Sequence, residues 1–233
     1  MSLFTDFKQG VPTNDVLCSR AASIVLQGKS EEEIKRNFSQ LFDQMQDEIY
    51  QQYLKAENDA GQAIIDKLLK DSGCVKFEDM NSFLMSIFQS RKSRAGKAFE
   101  YIIRELFSRL SYPFAEQVDV DGATPDFIMP SEEVFRDNPL GSIIFTAKRT
   151  LRERWRQVVT EANKGYGFFL ATLDNKVTQS QIDQAAKNKI YIVVPQALKE
   201  GNETYKNAPS VLSFEQFFEQ HLDPAMLRWS KKT

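Results

Sequence analysis

One histidine and two cysteines are all the soft or readily titratable ligands this chain carries. His221 stands far from any serine or cysteine motif, which excludes a histidine-based triad or nucleophile. Cys18 and Cys74 form no CxxC pair and, with one histidine, make no Cys/His zinc set. They read as two reduced thiols of a cytosolic protein. No apolar run reaches the length of a membrane span and the first residues contain no continuous hydrophobic stretch, so a soluble cytoplasmic protein without a membrane partner is expected. Excess charge is missing too: 30 Lys and Arg face 32 Asp and Glu, a formal net charge of -2. Binding to a polyanion must therefore come from local basic clusters. Any chemistry must rest on carboxylates, lysine and a metal ion.

What the chain has is a packed composition, 42% hydrophobic with 18 phenylalanines, enough in 233 residues for one sizeable domain with a helical extension. The first 90 or so residues read as helical. Pro12-Thr13-Asn14-Asp15 offers a cap before Val16, Leu17, Ala21, Ile24 and Val25, which share one face, and Gly28 ends that helix. Ser30-Glu31-Glu32-Glu33 is a capping box predicting one long amphipathic helix through Ile34, Phe38, Leu41, Met45, Ile49 and Tyr53 toward Leu69, stopped by Ser72-Gly73. A short helix over Phe77 to Ile87 comes next. The basic run Arg91-Lys92-Ser93-Arg94-Ala95-Gly96-Lys97 then leads into an apolar helix from Phe99 to Leu110. Small residues among the bases let backbone approach a phosphate, so Arg91, Lys92, Arg94 and Lys97 are candidate phosphate contacts; a merely solvated face is the plainer alternative.

After Pro113 the period changes to short extended runs at Phe114–Val120, Pro125–Met129 and Ser142–Ala147, with Asp121-Gly122 as a hairpin signal. A helix is predicted from about Leu151 to Lys164, buried strands at Phe168–Leu173 and Ile190–Val194, a helix over Thr178–Asn188 between them, and a last helix opened by the capping box at Ser213-Phe214-Glu215-Gln216. This order predicts an α/β fold, a central mixed β-sheet flanked by helices, with an N-terminal helical extension. The expected division is 1–85 as a helical region that contacts DNA or dimerises, and 86–233 as the catalytic domain.

The charges fall in a pattern. Pro125 fixes an extended backbone where Asp126 begins a strand, and Lys148 follows 22 positions later, where the next strand runs out. Adjacent strands would place the two side by side, with Thr146 on the same face as Lys148 because side chains alternate. Glu161, 13 positions further, reads alone as a solvated helix acid. Arg152-Glu153-Arg154 opens the same predicted helix; such a trio can read C·G pairs, arginine bonding guanine O6 and N7 and glutamate accepting from cytosine N4.

Together Pro125-Asp126-Phe127, Lys148, Arg154-Trp155-Arg156-Gln157, Glu161 and the run from Arg91 to Lys97 resemble the type II restriction endonucleases of the EcoRII, SsoII, PspGI and NgoMIV lineage, most closely the EcoRII catalytic domain, over roughly residues 85 to 195. These belong to the PD-(D/E)XK nucleases. Many nucleases of that type carry an acid where this chain has Thr146; in this lineage the second acid sits on the following helix. The resemblance implies a restriction-endonuclease-like core, Asp126 and Glu161 as ligands of Mg2+, Lys148 as the catalytic lysine and Glu100 as an additional acid. It also implies Arg152, Glu153 and Arg154 reading CC and GG half-sites, Arg149 on phosphate, Trp155 as a packing residue, and a homodimer on double-stranded DNA. A DNA methyltransferase of the same system would be a functional partner. A structure-specific repair or resolving nuclease on the same scaffold, and a DNA-binding protein without catalysis, are the alternative readings.

Overall fold

The fold is taken from a computed structural model, which describes residues 3–119, 122, 124–151, 155 and 167–231. The chain divides into two units: Met1–Gln27 with Asp43–Glu105, and Gly28–Phe42 with Leu106–Thr233.

The first unit is helical: α1 (Leu3–Gly10), α2 (Asn14–Val25) and most of two long helices, α4 (Phe38–Ser72) and α5 (Phe77–Arg109). Thr13 caps α2 by accepting from Val16 N. Gly73, at φ +71, supplies the left-handed residue that ends α4. Two sequence expectations are corrected here. The capping box at Ser30 is present, but it opens only a short helix, α3 (Glu31–Arg36); the chain breaks at Asn37 and α4 starts afresh. That second start is capped from afar, Ser39 N and Oγ both donating to the Glu215 carboxylate at 2.8 Å. The expected short helix and basic linker are likewise one unbroken α5. Arginine, lysine and serine all propagate a helix, and the single Gly96 costs only about 1 kcal/mol against alanine, less than the packing of Phe83, Ile87, Ala98 and Phe99 supplies.

The second unit is built on a five-stranded sheet in the order β1-β2-β3-β4-β5: β1 (Phe127–Met129), β2 (Ile143–Ala147), β3 (Gly167–Ala171), β4 (Ile190–Val194) and β5 (Val211–Ser213). β1 is antiparallel to β2, pairing Phe127 with Phe145, and the remaining pairs are parallel. Among the described residues the expected strand at Phe114–Val120 reduces to one bridge, Ala115 to Ile128. Gln117 adopts φ +58, which no strand accommodates. β5, three residues long, was hidden behind the capping signal of Ser213, which does cap the helix beginning at Phe214.

Both faces of the sheet are covered, as parallel strands require. Phe107, Phe127, Phe145, Phe169, Phe217 and Phe218 pack ring against ring on one face, with Phe38 and Phe214 beside them. Ile128, Ile144, Phe168, Leu170, Ile192 and Val194 line the other, together with Leu151, Trp155 and Ile182 of the helix α6 (Gln179–Lys187). Alternation along β2 therefore puts Phe145 in the ring cluster and Ile144 and Thr146 on the opposite side. Among the described residues no helix is long and apolar enough to cross a membrane.

Candidate active site

The site forms where β1 begins and β2 ends. The antiparallel register brings Asp126, just before β1, beside the last residues of β2. Asp126 is 8% exposed and its Oδ2 accepts three donors: the Thr146 hydroxyl at 2.8 Å, Ala147 N at 2.6 Å and Lys148 Nζ at 3.0 Å. The expected meeting of Asp126 and Lys148, and the shared face of Thr146 and Lys148, are thus features of the structure. The Thr146 hydroxyl orients the Asp126 carboxylate from the same side of β2 as Lys148. Because the three donors converge on a single oxygen, they leave the Oδ1 lone pairs to another partner.

Beyond Lys148 the chain is held by residues that the sequence reading did not single out. Lys148 N donates to Ala171 O at 2.9 Å, so the parallel pairing of β2 with β3 continues through the lysine's own backbone. The Thr172 hydroxyl lies 3.4 Å from Arg149 O, and Leu151 N donates to Asp174 Oδ2 at 2.9 Å. Thr172 is fully buried and Asp174 is 8% exposed. Asp174 is in turn fixed on three sides: its N–H donates to Thr172 Oγ1, its Oδ1 accepts from Lys176 N at 3.0 Å, and the buried Tyr205 hydroxyl donates to its carbonyl. Trp155 is buried and its indole N–H donates to Gln184 Oε1 on α6 at 2.7 Å, the packing role expected of it. Leu151 and Trp155 bracket Arg152, Glu153 and Arg154 in sequence. Those three residues and Glu161 lie outside the described residues, as does Arg156. Arg149 is half-buried, and burial lowers its pKa from the ordinary arginine value. An acid after a buried Thr at a strand end is a recognisable cap signal, but the capped N–H is 23 residues away.

The other expected residues lie in the helical unit. Arg91 forms a bidentate ion pair with Glu57, which is 6% exposed and also accepts from the Tyr53 hydroxyl at 2.5 Å. Burial pushes Glu57 up, but hydrogen bonds from Arg91 and Tyr53 outweigh it and hold the carboxyl below its usual range. Burial and the Glu57 contact push Tyr53 up to about 12. Arg94 donates to Pro12 O at 2.7 Å and lies over the Tyr53 ring. These two arginines thus hold α5 to α4 and to the start of α2, a role their place in a basic run did not suggest. Lys92 and Lys97 are exposed. Glu100 lies on α5, half-buried, whereas Asp126 and Lys148 belong to the sheet unit. Arg104, one turn further along α5, forms an ion pair with Asp15. His221 packs edge-on to Phe169 and tilted against Tyr191, with centroids 4.9 and 4.6 Å away, and burial lowers its pKa. That is a packing position.

This architecture is that of the restriction endonucleases. The solved structure described as metal-depleted Ecl18kI in complex with uncleaved, modified DNA superposes with a TM-score of 0.81 at 25% identity, over 99% of this chain and 83% of that one. The restriction endonuclease PspGI–substrate DNA complex shares the fold with a TM-score of 0.73 at 21% identity, over 97% and 96%. In sequence, residues 58–218 match the family model described as EcoRII C terminal, which shows that the chain belongs to that family. The match begins well before residue 85, so it takes in part of α4 as well as all of α5. The type II restriction enzyme SsoII of Shigella sonnei is 32% identical over 154 residues, covering 60% of this chain. The chain spans 48% of that enzyme's length.

Proposed function

We propose that this chain is a magnesium-dependent type II restriction endonuclease that cleaves double-stranded DNA at a palindromic site built on CC and GG half-sites, of the CCGG, CCNGG or CCWGG type. The observation that carries the reading is the Asp126–Lys148 pair, held at 3.0 Å on the edge of a restriction-endonuclease sheet. The activity would place the protein in the cytoplasm of a cell whose own DNA a cognate methyltransferase protects.

The donor set at the site fits a hard divalent cation. Asp126 offers a carboxylate oxygen not taken up by its three donors, and Glu161 is proposed as the second ligand. Two carboxylates suit magnesium, which takes one or two and keeps several waters. A bound cation supplies Lewis acidity toward the scissile phosphate and lowers the pKa of a coordinated water. Lys148, fixed by Asp126 and by its own backbone bond to β3, holds a positive charge where the attacking water and the phosphorane oxygens would meet. Thr146 and Ala147 N–H keep the Asp126 carboxylate in one orientation, so no reorganisation is needed as charge develops. Glu100 is proposed as a further acid of the site. Arg152, Glu153 and Arg154 are proposed to read the base edges, in a segment whose flanks, Leu151 and Trp155, are both anchored. Lys92, Lys97 and Arg149 are the proposed phosphate contacts, Arg91 and Arg94 being engaged within the helical unit. A two-fold site calls for two copies of the reading segment, hence a homodimer on DNA.

The test is digestion of unmethylated phage DNA with magnesium by the wild type and by Lys148→Ala, with the fragment ends sequenced. Discrete fragments sharing a CC and GG sequence, with cleavage lowered about 10²–10⁴-fold in the variant, are expected. A smear lost in the variant would remove the sequence specificity and leave a structure-directed nuclease. No cleavage by folded wild type would sink the enzymatic reading.

A further inference from the structure

Between Lys148 and the proposed reading trio the chain has no regular secondary structure. Residues 148–151 leave β2 without entering a helix or strand, yet their backbone is bonded at three points to the end of β3 and the loop that follows it. Lys148 N donates to Ala171 O at 2.9 Å, the Thr172 hydroxyl lies 3.4 Å from Arg149 O, and Leu151 N donates to Asp174 Oδ2 at 2.9 Å. Three peptide steps span at most about 11 Å. What fixes this connector therefore sets the distance from the lysine to Leu151, the residue before the trio.

The loop is itself braced. Tyr205, fully buried on the short helix Glu203–Lys206, accepts from Val177 N at 3.2 Å and donates to the Asp174 carbonyl, so one hydroxyl ties both ends of the turn. Asp174 N donates to Thr172 Oγ1 at 3.1 Å and Lys176 N to Asp174 Oδ1 at 3.0 Å. The two oxygens of the Asp174 carboxylate thus accept from backbone N–H groups of two different segments. An amide side chain has one oxygen and would serve only one of them. Burying a carboxylate is costly unless it is fully bonded, and here its bonds hold the loop against the connector.

Resting on the nuclease reading above, we propose that Thr172, Asp174 and Tyr205 are positioning residues that set the register between hydrolysis and base reading. Tyr205 fixes the loop, and Thr172 and Asp174 fix the connector from Lys148 to Leu151 against it. In this role none of the three touches phosphate or base. Their loss leaves Lys148 paired with Asp126 and the reading side chains present, but lets the two shift relative to one another. Altered sites are then accommodated by a displacement that the braced connector forbids, and at the cognate site lysine and trio are no longer held in place together.

The experiment measures steady-state cleavage of a cognate duplex, identified from the phage DNA digest, and of a duplex altered by one base pair in a half-site. Urea unfolding establishes that each variant is folded. Because a 1 Å misplacement can cost about 10²-fold, Tyr205→Phe and Asp174→Ala should each lower kcat on the cognate duplex about tenfold. KM should change less, and cleavage of the altered duplex should stay near wild type, so the cognate preference in kcat/KM falls. Thr172→Val should shift the preference in the same direction, and Thr172→Ser, which keeps the hydroxyl, should match the wild type. A purely structural role lowers the unfolding midpoint and the active fraction, which scales both duplexes alike and leaves the preference unmoved.

An unmoved preference in folded Tyr205→Phe and Asp174→Ala would overturn the proposal, as would a Thr172→Ser as defective as Thr172→Val. If Asp174→Ala does not fold, Tyr205→Phe, which removes one oxygen atom, decides alone. Wild type that cuts no DNA, or cuts without preference, would remove the function proposed above and this role with it; wild type that cuts selectively beside variants of unmoved preference removes this role only.

Discussion

Each unit of this protein holds one buried carboxylate against a basic side chain, and the two differ in how much of the carboxylate is taken. In the helical unit Glu57 is closed: Arg91 bonds both of its oxygens and Tyr53 adds a third donor. In the sheet unit Asp126 is open: Thr146, Ala147 and Lys148 all converge on Oδ2. A carboxylate with both oxygens engaged by a guanidinium is a clamp between helices, because nothing further can approach it without breaking a charge-assisted pair. A carboxylate held firmly by one oxygen is oriented yet still able to bind. The contrast separates a structural acid from a candidate ligand without reference to any relative.

The largest expected effect comes from removing the open acid. Asp126→Ala should abolish Mn2+ binding measured by calorimetry and lower cleavage by about 10³-fold or more, with a native circular dichroism spectrum. Retained Mn2+ binding would move the metal site elsewhere. Glu57→Gln should do the reverse, lowering stability by about 1–2 kcal/mol in urea unfolding while leaving cleavage unchanged. The value is discounted because the Arg91 side chain is 42% exposed. A loss of activity larger than the loss of folded protein would erase the distinction between the two acids. Asp174→Asn is expected to lie between them. It keeps an acceptor for Leu151 N but weakens the bond, and should lower discrimination between cognate and random DNA a fewfold with little change in unfolding midpoint; equal losses on both DNAs would make Asp174 a purely structural cap. The smallest effect concerns His221. Its folded pKa lies below the unfolded value of about 6.5, so as pH falls through that value and then the folded pKa, the unfolded chain takes up a proton the folded one resists, and stability drops. His221→Phe should remove that part of the slope below about pH 6.5, read by urea unfolding against the wild type; an unchanged slope would show that the ring does not titrate differently on folding.

How much of this was legible beforehand depends on the range of the interaction. Helix caps within three residues, at Thr13, Ser30 and Ser213, could be read because donor and acceptor lie in one turn. Where a partner is remote, the reading went astray. The break at Asn37 and restart of α4 depend on Glu215, 176 residues away, so a local capping box was extended into one long helix. The internal contacts of Arg91 and Arg94 were not foreseen, because nothing near them in sequence announces Glu57, Tyr53 or Pro12. Asp174 and Thr172 went unnoticed for the same reason.

The sequence by itself determined the alternation of short strands and amphipathic helices and the pairing of Asp126 with Lys148. That last rested on the two strands being adjacent, and the antiparallel register of the structure then brings the pair together. Tertiary structure alone decided which oxygens of each acid are engaged, which arginines serve as clamps and what fixes the backbone around Lys148. Those outcomes depend on side chains that meet only after folding, where burial makes an unsatisfied donor or charge costly enough to select its partner.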